Sequence, residues 1–182
     1  MLELREHSST RYAKRTWENA NSADLTVAFA EDFTSLGELL THRAAGDAYV
    51  AIPLSTPPLE AAKLLCEAAT TRAANSLNIA GNGICTLGRH GWTQESVNSW
   101  VFQVLRVVIQ EHPIRFVRSG GQTGADIAGL VAAHALGIDC LGLFPKRFLQ
   151  RGLDNIDVRR TAEDIVADID RWVQALKAEK PL

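Results

Sequence analysis

Short apolar runs alternate with longer amphipathic segments along the chain, which is the pattern of strands and helices in a parallel α/β sheet. Five runs predict strands: Leu25–Ala30, Ala48–Pro53, Ser76–Ala80, Ile114–Arg118 and Asp139–Phe144. Each is short and apolar, as strands covered on both faces are. Between them the spacing predicts helices over Ser35–Ala45, Pro58–Ala74, Thr93–Glu111 and Ala125–Leu136. Thr56 ahead of Pro57 and Pro58, and Thr93 followed by Gln94 and Glu95, mark two of the helix starts. A last helix, Thr161–Ala178, opens on a capping-box pattern with Asp164 in the place of the usual Glu. It aligns Ile165, Ile169, Trp172, Val173 and Leu176 on one face and reads as an added C-terminal helix docked on the sheet. Arg151–Arg160 reads as a connection only. The expected architecture is a Rossmann-like three-layer α/β fold over residues 1–182, with a mostly parallel sheet of about five strands and helices on both faces.

Composition narrows the partners. The chain has 182 residues, 46% hydrophobic and 22% charged, with a formal net charge of -2. Such a chain is too apolar for disorder and needs no metal or disulfide to hold a core. It carries no apolar stretch long enough to span a bilayer, and MLELREHSST is not a secretory signal, so a cytoplasmic protein is expected. Nineteen Lys and Arg balance twenty-one Asp and Glu, which leaves no basic field to attract nucleic acid. Cys66, Cys85 and Cys140 form no CxxC pair, and the five histidines are scattered, so no metal site is expected.

Candidate chemistry concentrates where strands end, because open α/β sheets bind ligands beyond the carboxyl ends of their strands. The first such place is Arg118-Ser-Gly-Gly-Gln-Thr-Gly-Ala-Asp126. Gly120, Gly121 and Gly124 allow close backbone approach, the following helix start offers amides to an anion, and Ser119, Gln122 and Thr123 add side-chain donors. The alternative is a glycine turn that only permits close strand–helix packing. A second place is Ala80-Gly81-Asn82-Gly83, with Gly81 and Asn82 as candidate contacts, and a third is Phe144-Pro-Lys146, whose lysine is expected to reach an anion held by the glycine loop. Asp126 and Glu38 are the carboxylates nearest the expected mouth. Walker A, GxSxG and HExxH patterns are absent.

The loop SGGQTGADIAGLVAAHALGI with the later FPK resembles the molybdenum cofactor carrier-like family of the SLOG superfamily, whose hallmark reads GGQTGxDxAAL followed by CPK. Phe144 stands where that cysteine would be. Tyr12-Ala-Lys-Arg15-Thr16-Trp-Glu-Asn19 ahead of Ser22-Ala-Asp24 resembles the family's Y-x-x-R-T-x-x-N block, and Asn78-Ile-Ala-Gly81 its N-V-A-G segment. The blocks run in circularly permuted order here, and the helix feeding the GGQTG strand resembles the YpsA-like branch. Together they span most of residues 8 to 150. The family's Gly-Gly-Thr turn reads Glu31-Asp-Phe-Thr-Ser-Leu-Gly37 in this chain, and the PGGxGTxxE of the cytokinin-activating phosphoribohydrolases is echoed only by Gly37-Glu38.

The resemblance implies a small-molecule binding protein for a nucleotide or phosphorylated pterin-like ligand, molybdenum cofactor being one candidate. Arg15, Thr16 and Asn19 would join the glycine loop at one mouth, in a homo-oligomer. A second reading is hydrolysis of an N-glycosidic or phosphate bond in a nucleotide, with Asp126 or Glu38 catalytic. A third is a DNA-processing adaptor. Under the first, Gly121→Asp is expected to remove anion binding and leave the fold intact.

Overall fold

A computed structural model describes residues 1–178. Six strands form one all-parallel sheet: β1 (Leu2–Glu6), β2 (Leu25–Ala30), β3 (Tyr49–Pro53), β4 (Ser76–Gly81), β5 (Phe116–Ser119) and β6 (Asp139–Phe144). Their order is β1-β6-β5-β4-β2-β3. Seven helices accompany them: α1 (Tyr12–Asn21), α2 (Leu36–Ala45), α3 (Pro58–Arg72), α4 (Ile84–Gly88), α5 (Gln94–Glu111), α6 (Ala125–Ala135) and α7 (Ala162–Ala178). The expected α/β Rossmann-like architecture is therefore present, with one strand more than the apolar runs announced.

The extra strand is β1, which pairs parallel with β6 from Leu2–Cys140 to Glu6–Phe144. Its leucines at 2 and 4 turn inward while Glu3 and Arg5 face water, the alternation of an edge strand covered on one side. Arg151–Arg160 is also more than a connection. Leu149–Arg151 (β7) and Asp157–Arg159 (β8) pair antiparallel as a small hairpin.

The strand order fixes where a ligand can enter. From β2 the chain steps outward to β3, then returns to the other side of β2 for β4 and continues away through β5 and β6. The carboxyl ends of β2 and β4 thus flank the switch point, where connecting segments diverge to opposite faces and leave a crevice. Right-handed crossovers put α1 and α2 on one face and α3, α5 and α6 on the other. Consistently, α1 packs on α2, while α3, α5, α6 and α7 pack in succession. No helix among the described residues is long and apolar enough to cross a membrane.

Local chemistry explains the boundaries. Thr93 and Ser96 form a reciprocal capping box at α5, with Oγ and amide partners 2.9 and 3.2 Å apart. Thr161 Oγ1 accepts the Asp164 amide at 3.1 Å at the start of α7. At α3 Pro57 occupies the cap position itself and Pro58 the first turn, so Thr56 serves instead through its carbonyl, which accepts the Trp100 indole N–H at 3.0 Å. All six β2 residues are buried, and the fully enclosed side chains include Phe29, Leu25, Ile79, Leu65 and Leu105. Each such side chain contributes about 1.5–3 kcal/mol of apolar burial.

One layer of the core is polar. Thr26 on β2 pairs in register with Asn78 on β4, and Asn78 with Arg118 on β5, so the three side chains form a row across one face of the sheet. Arg118 Nε donates to Asn19 Oδ1 at 3.0 Å, which places that row beneath α1.

Candidate functional site

A cleft of about 450 Å³ opens at the switch point, on the face covered by α1 and α2. Four segments build most of it. α1 supplies Tyr12, Arg15, Thr16 and Asn19; the start of α2 supplies Ser35 to Glu38; β4 and its exit supply Asn78 and Ala80 to Ile84; and the β5–α6 loop supplies Gly120, Gln122, Thr123 and Asp126. Most residues expected from sequence therefore converge on one place, including the Arg15–Thr16–Asn19 block, Gly81, Asn82, Glu38 and Asp126. Ser119, Gly121, Gly124 and Lys146 do not line it. Lys146 instead borders a separate surface hollow with Arg11, Lys14 and Arg147, because its amide is tied to the Ser9 carbonyl at 3.1 Å.

The glycine loop is organised differently from an open phosphate cradle. Its amides largely have protein acceptors. Gly121 N–H reaches Ser119 Oγ at 3.3 Å, Gln122 N–H reaches Asp126 Oδ2 at 3.3 Å, Gly124 N–H reaches Gln94 Oε1 at 2.6 Å and Ala125 N–H reaches the Asn82 carbonyl at 3.1 Å. The Asp126 carboxylate thus occupies the anion position at the start of α6. The loop's side chains are also engaged by the hairpin. Gln122 Nε2 donates to Leu149 O at 2.7 Å and its Oε1 accepts Arg151 N–H at 3.1 Å, Thr123 Oγ1 donates to Arg151 O, and Gln150 Nε2 donates to Gly121 O at 2.8 Å. Sequence reading missed this clamp, since β7 and β8 carry no apolar alternation of their own.

Gly121 and Gly120 are among the glycines dictated by close approach. Gly121 (φ +71°) lies on Phe144, and a Cβ there would come within 2.5–2.7 Å of the ring. Phe144 thus fills the space behind the loop. Gly120 leaves room for Arg15 and Asp126 to approach each other, since a Cβ would contact Asp126 Oδ2 and lie 3.3 Å from Arg15 Cζ.

Asn82 is a structural clamp. Its Oδ1 accepts from the amides of Glu31 and Asp32 at 2.9 and 2.8 Å, and its Nδ2 donates to Asp32 O at 2.8 Å. The side chain so fixes the β2–α2 turn, and with it the start of α2 that carries Glu38. Ser35 caps that helix by accepting the Glu38 amide at 3.3 Å.

Three ionisable groups meet in the cleft. Arg15 is 4% exposed. Its Nη1 donates to the carbonyls of Gly120 and, at 3.4 Å, Leu143, and its Nε has no partner among the described residues. Burial depresses its pKa, opposed by the charge of Asp126. Glu38 is buried, and desolvation, reinforced by the negative charge of Asp126, pushes its carboxyl up to about 8, against a 3.5 Å hydrogen bond from the Tyr49 hydroxyl. Asp126 is partly exposed at the cleft wall; enclosure pushes its pKa up to about 6, restrained by Arg15 and the Gln122 amide. At pH 7 the site accordingly holds a cation, a protonated carboxyl and a mostly ionised one.

Further cleft residues are not among the site residues that the sequence predicts. Asn78 forms part of the floor, Tyr12 stacks near both Arg15 and Arg151 (5.2 and 5.5 Å from ring centroid to guanidinium carbon), and Arg151 and Asn155 border the opening from the hairpin. Tyr12, Arg15, Thr16 and Asn19 follow helical i, i+3, i+4, i+7 spacing, the signal by which Tyr12 was legible. Arg151 and Asn155 had none. No protein-family model, curated protein or solved structure matches the chain.

Proposed function

We propose that the cleft binds a small phosphorylated ligand of nucleotide or pterin type, in a SLOG-type protein. The observation that carries this is Arg15: a buried guanidinium in a cleft, hydrogen-bonded to carbonyls, with its Nε unpartnered and no carboxylate within ion-pair distance among the described residues, retains capacity for an anion, Asp126 acting on it only from further away. The glycine loop contributes by bringing Arg15 near the opening through Gly120, and less through its own amides. Thermal shift with a panel of nucleoside monophosphates and pterin phosphates tests this. A ligand-dependent rise that Arg15→Met removes is expected, with circular dichroism and the melting transition of the unliganded variant checking that its fold is retained, since the Gly120 and Leu143 carbonyls lose a donor. No rise in the unaltered protein with any member of the panel overturns the proposal.

The Glu38–Asp126 pair favours a second reading, hydrolysis of an N-glycosidic or phosphate bond. Two carboxyls in one cleft with pKa values near 8 and near 6 divide into a proton donor and an ionised partner at neutral pH. Glu38 would protonate the leaving group, and Asp126 would stabilise positive charge or activate water. Product release from nucleoside monophosphates, abolished in Glu38→Gln, tests it; turnover unchanged in both Glu38→Gln and Asp126→Asn sinks it. The same reading includes cytoplasmic action and self-association, for which exposed Trp17, Leu36 and Leu39 on α1 and α2 offer apolar surface. Analytical ultracentrifugation checks the latter.

A further inference from the structure

Away from the cleft, four cations crowd one hollow of about 510 Å³ at the carboxyl ends of the neighbouring strands β1 and β6. Arg11 and Lys14 reach it from the start of α1, Lys146 and Arg147 from the segment after β6, and the polar turn ahead of α1 completes the lining. All four cations are exposed, and none forms an ion pair among the described residues. Other arginines are paired: Arg5 with Glu3, Arg151 with Asp157 and Arg160 with Asp168. Among the described residues no carboxylate lines the hollow. Glu6 comes near, and its Oε1 accepts the Arg147 amide at 3.0 Å.

Backbone bonds bring the four together. Lys146 N–H donates to Ser9 O at 3.1 Å, which ties the exit of β6 to the turn ahead of α1, and Arg11 N–H donates to Ser9 Oγ at 3.1 Å. Arg147 lies at a φ of +68° and Phe148 at +48°, left-handed conformations disfavoured for residues with a Cβ. Phe148 packs on the Phe144 ring, 5.4 Å away between centroids. The fold thus keeps Arg147 beside three other cations at a cost in both backbone strain and charge repulsion. Composition does not impose this, because acidic residues outnumber basic ones, 21 to 19.

A multiply charged anion relieves that repulsion, and a singly charged one relieves it only in part. The first turn of α1 carries no acidic residue, so the positive end of the helix adds to the same field. A nucleic-acid strand would need a basic groove that continues along its backbone. Here the elements leading away from the hollow turn acidic, with Glu6 and Glu3 on β1 and Glu18 on α1, so the field is confined to one compact spot. We propose that this hollow is a second binding site, separate from the cleft, for a compact polyanion bearing a diphosphate group, held by Arg11, Lys14, Lys146 and Arg147. It uses none of the cleft residues and stands whether or not the anion-binding reading of the cleft does.

The test is an amide NMR titration of the whole protein with pyrophosphate, adenosine 5′-diphosphate, inorganic phosphate and a short single-stranded oligodeoxynucleotide, all at matched ionic strength. Pyrophosphate is expected to shift the amides of Ser8–Lys14, Lys146 and Arg147 saturably, and to bind there about tenfold more tightly than phosphate because it brings more charge to the same cations. The same shifts with adenosine 5′-diphosphate support the site and assign its diphosphate to a nucleotide; shifts with pyrophosphate alone support it and assign the free ion. Lys14→Glu combined with Arg147→Glu is expected to weaken pyrophosphate at these amides by about tenfold or more. Lys14→Gln combined with Lys146→Gln supplies a second pair if the charge reversals do not fold. In Arg15→Met the hollow's shifts persist, whereas any shifts at Gly81 and Gly120 report the cleft and are lost. The proposal is overturned by shifts confined to cleft amides, by the absence of saturable shifts at the hollow, or by equal affinity for phosphate and pyrophosphate. Affinity unchanged in the altered pairs, or tightest binding of the oligonucleotide, overturns it as well.

Discussion

Gly121 and Phe144 are in direct apposition: the glycine's Cα turns toward the phenylalanine ring at a φ of +71°, and any Cβ would lie 2.5 Å from Cζ. The expectation that Gly121→Asp would leave the fold intact therefore fails on packing. Gly121→Ala combines a left-handed backbone penalty of about 1–2 kcal/mol with overpacking of a buried ring, for a total loss of about 2–4 kcal/mol. Urea unfolding checks this, and a loss below about 0.5 kcal/mol would show that the contact yields freely.

Glu38 makes stability depend on pH with a definite sign. Its folded pKa is raised from 4.5 to about 8, so between those values the folded state holds a proton that the unfolded state has lost. Stability is fullest below about pH 4.5 and falls as pH rises toward 8. Asp126, raised from 3.8 to about 6, adds a fall of the same sign over a lower window. Glu38→Gln, neutral at every pH, is expected to flatten the decline between pH 5 and 8 and to exceed the unaltered protein in stability at pH 8. Denaturation midpoints across that range decide it; parallel curves for the two proteins would refute the buried-acid assignment.

The hairpin clamp should be visible as local order. Gln150 is buried and its amide holds the Gly121 carbonyl at 2.8 Å. Gln150→Leu leaves that carbonyl unsatisfied, at a cost of about 1–3 kcal/mol. Amide hydrogen exchange at Gly120–Gly124 is expected to accelerate more than exchange in β2 or β4. Uniform acceleration over the whole sheet would mean that the hairpin stabilises globally and does not clamp the loop.

Asn82→Ala removes three hydrogen bonds to the β2–α2 turn. About 2–3 kcal/mol of stability should go with them. Because the turn carries the start of α2, the raised titration of Glu38 should also move back toward ordinary carboxylate values, which NMR titration of the side chain reads. An unchanged Glu38 titration would detach the turn from the site.

Much of the fold was legible because burial writes itself into apolar runs. β2 and β6 begin and end where the runs do, and α5 begins at its Thr93 cap. The misses share a cause. α1 buries Arg15, Asn19 and Ala20, so a search for apolar periodicity passes over a helix whose inward face is largely polar. β1 hides its strand character in five residues of leucine–charge alternation. The hairpin is held by amide side chains reaching across from the glycine loop, a tertiary relation that leaves no local trace. For the site, the segments singled out by sequence do meet at one cleft, but tertiary relations that leave no local trace decide what holds each residue there: Asn82 and Gln122 brace backbone, Gly121 packs on a ring, and Lys146 borders another surface hollow.

The pairing of β1 with β6 has a consequence for how the cleft comes into being. Leu2 must find Cys140, a partner separated from it by nearly the whole sheet, and contacts of such sequence separation form slowly. The segment that crosses from β1 to β2 is α1, which carries Arg15, Thr16 and Asn19. During synthesis these residues precede β6 by more than a hundred positions, so one wall of the cleft waits, unanchored at its near end, until the last strand of the sheet has been made. Formation of the cleft is thereby tied to completion of the sheet, and a nascent chain lacking β6 has a glycine loop but no closed cleft wall.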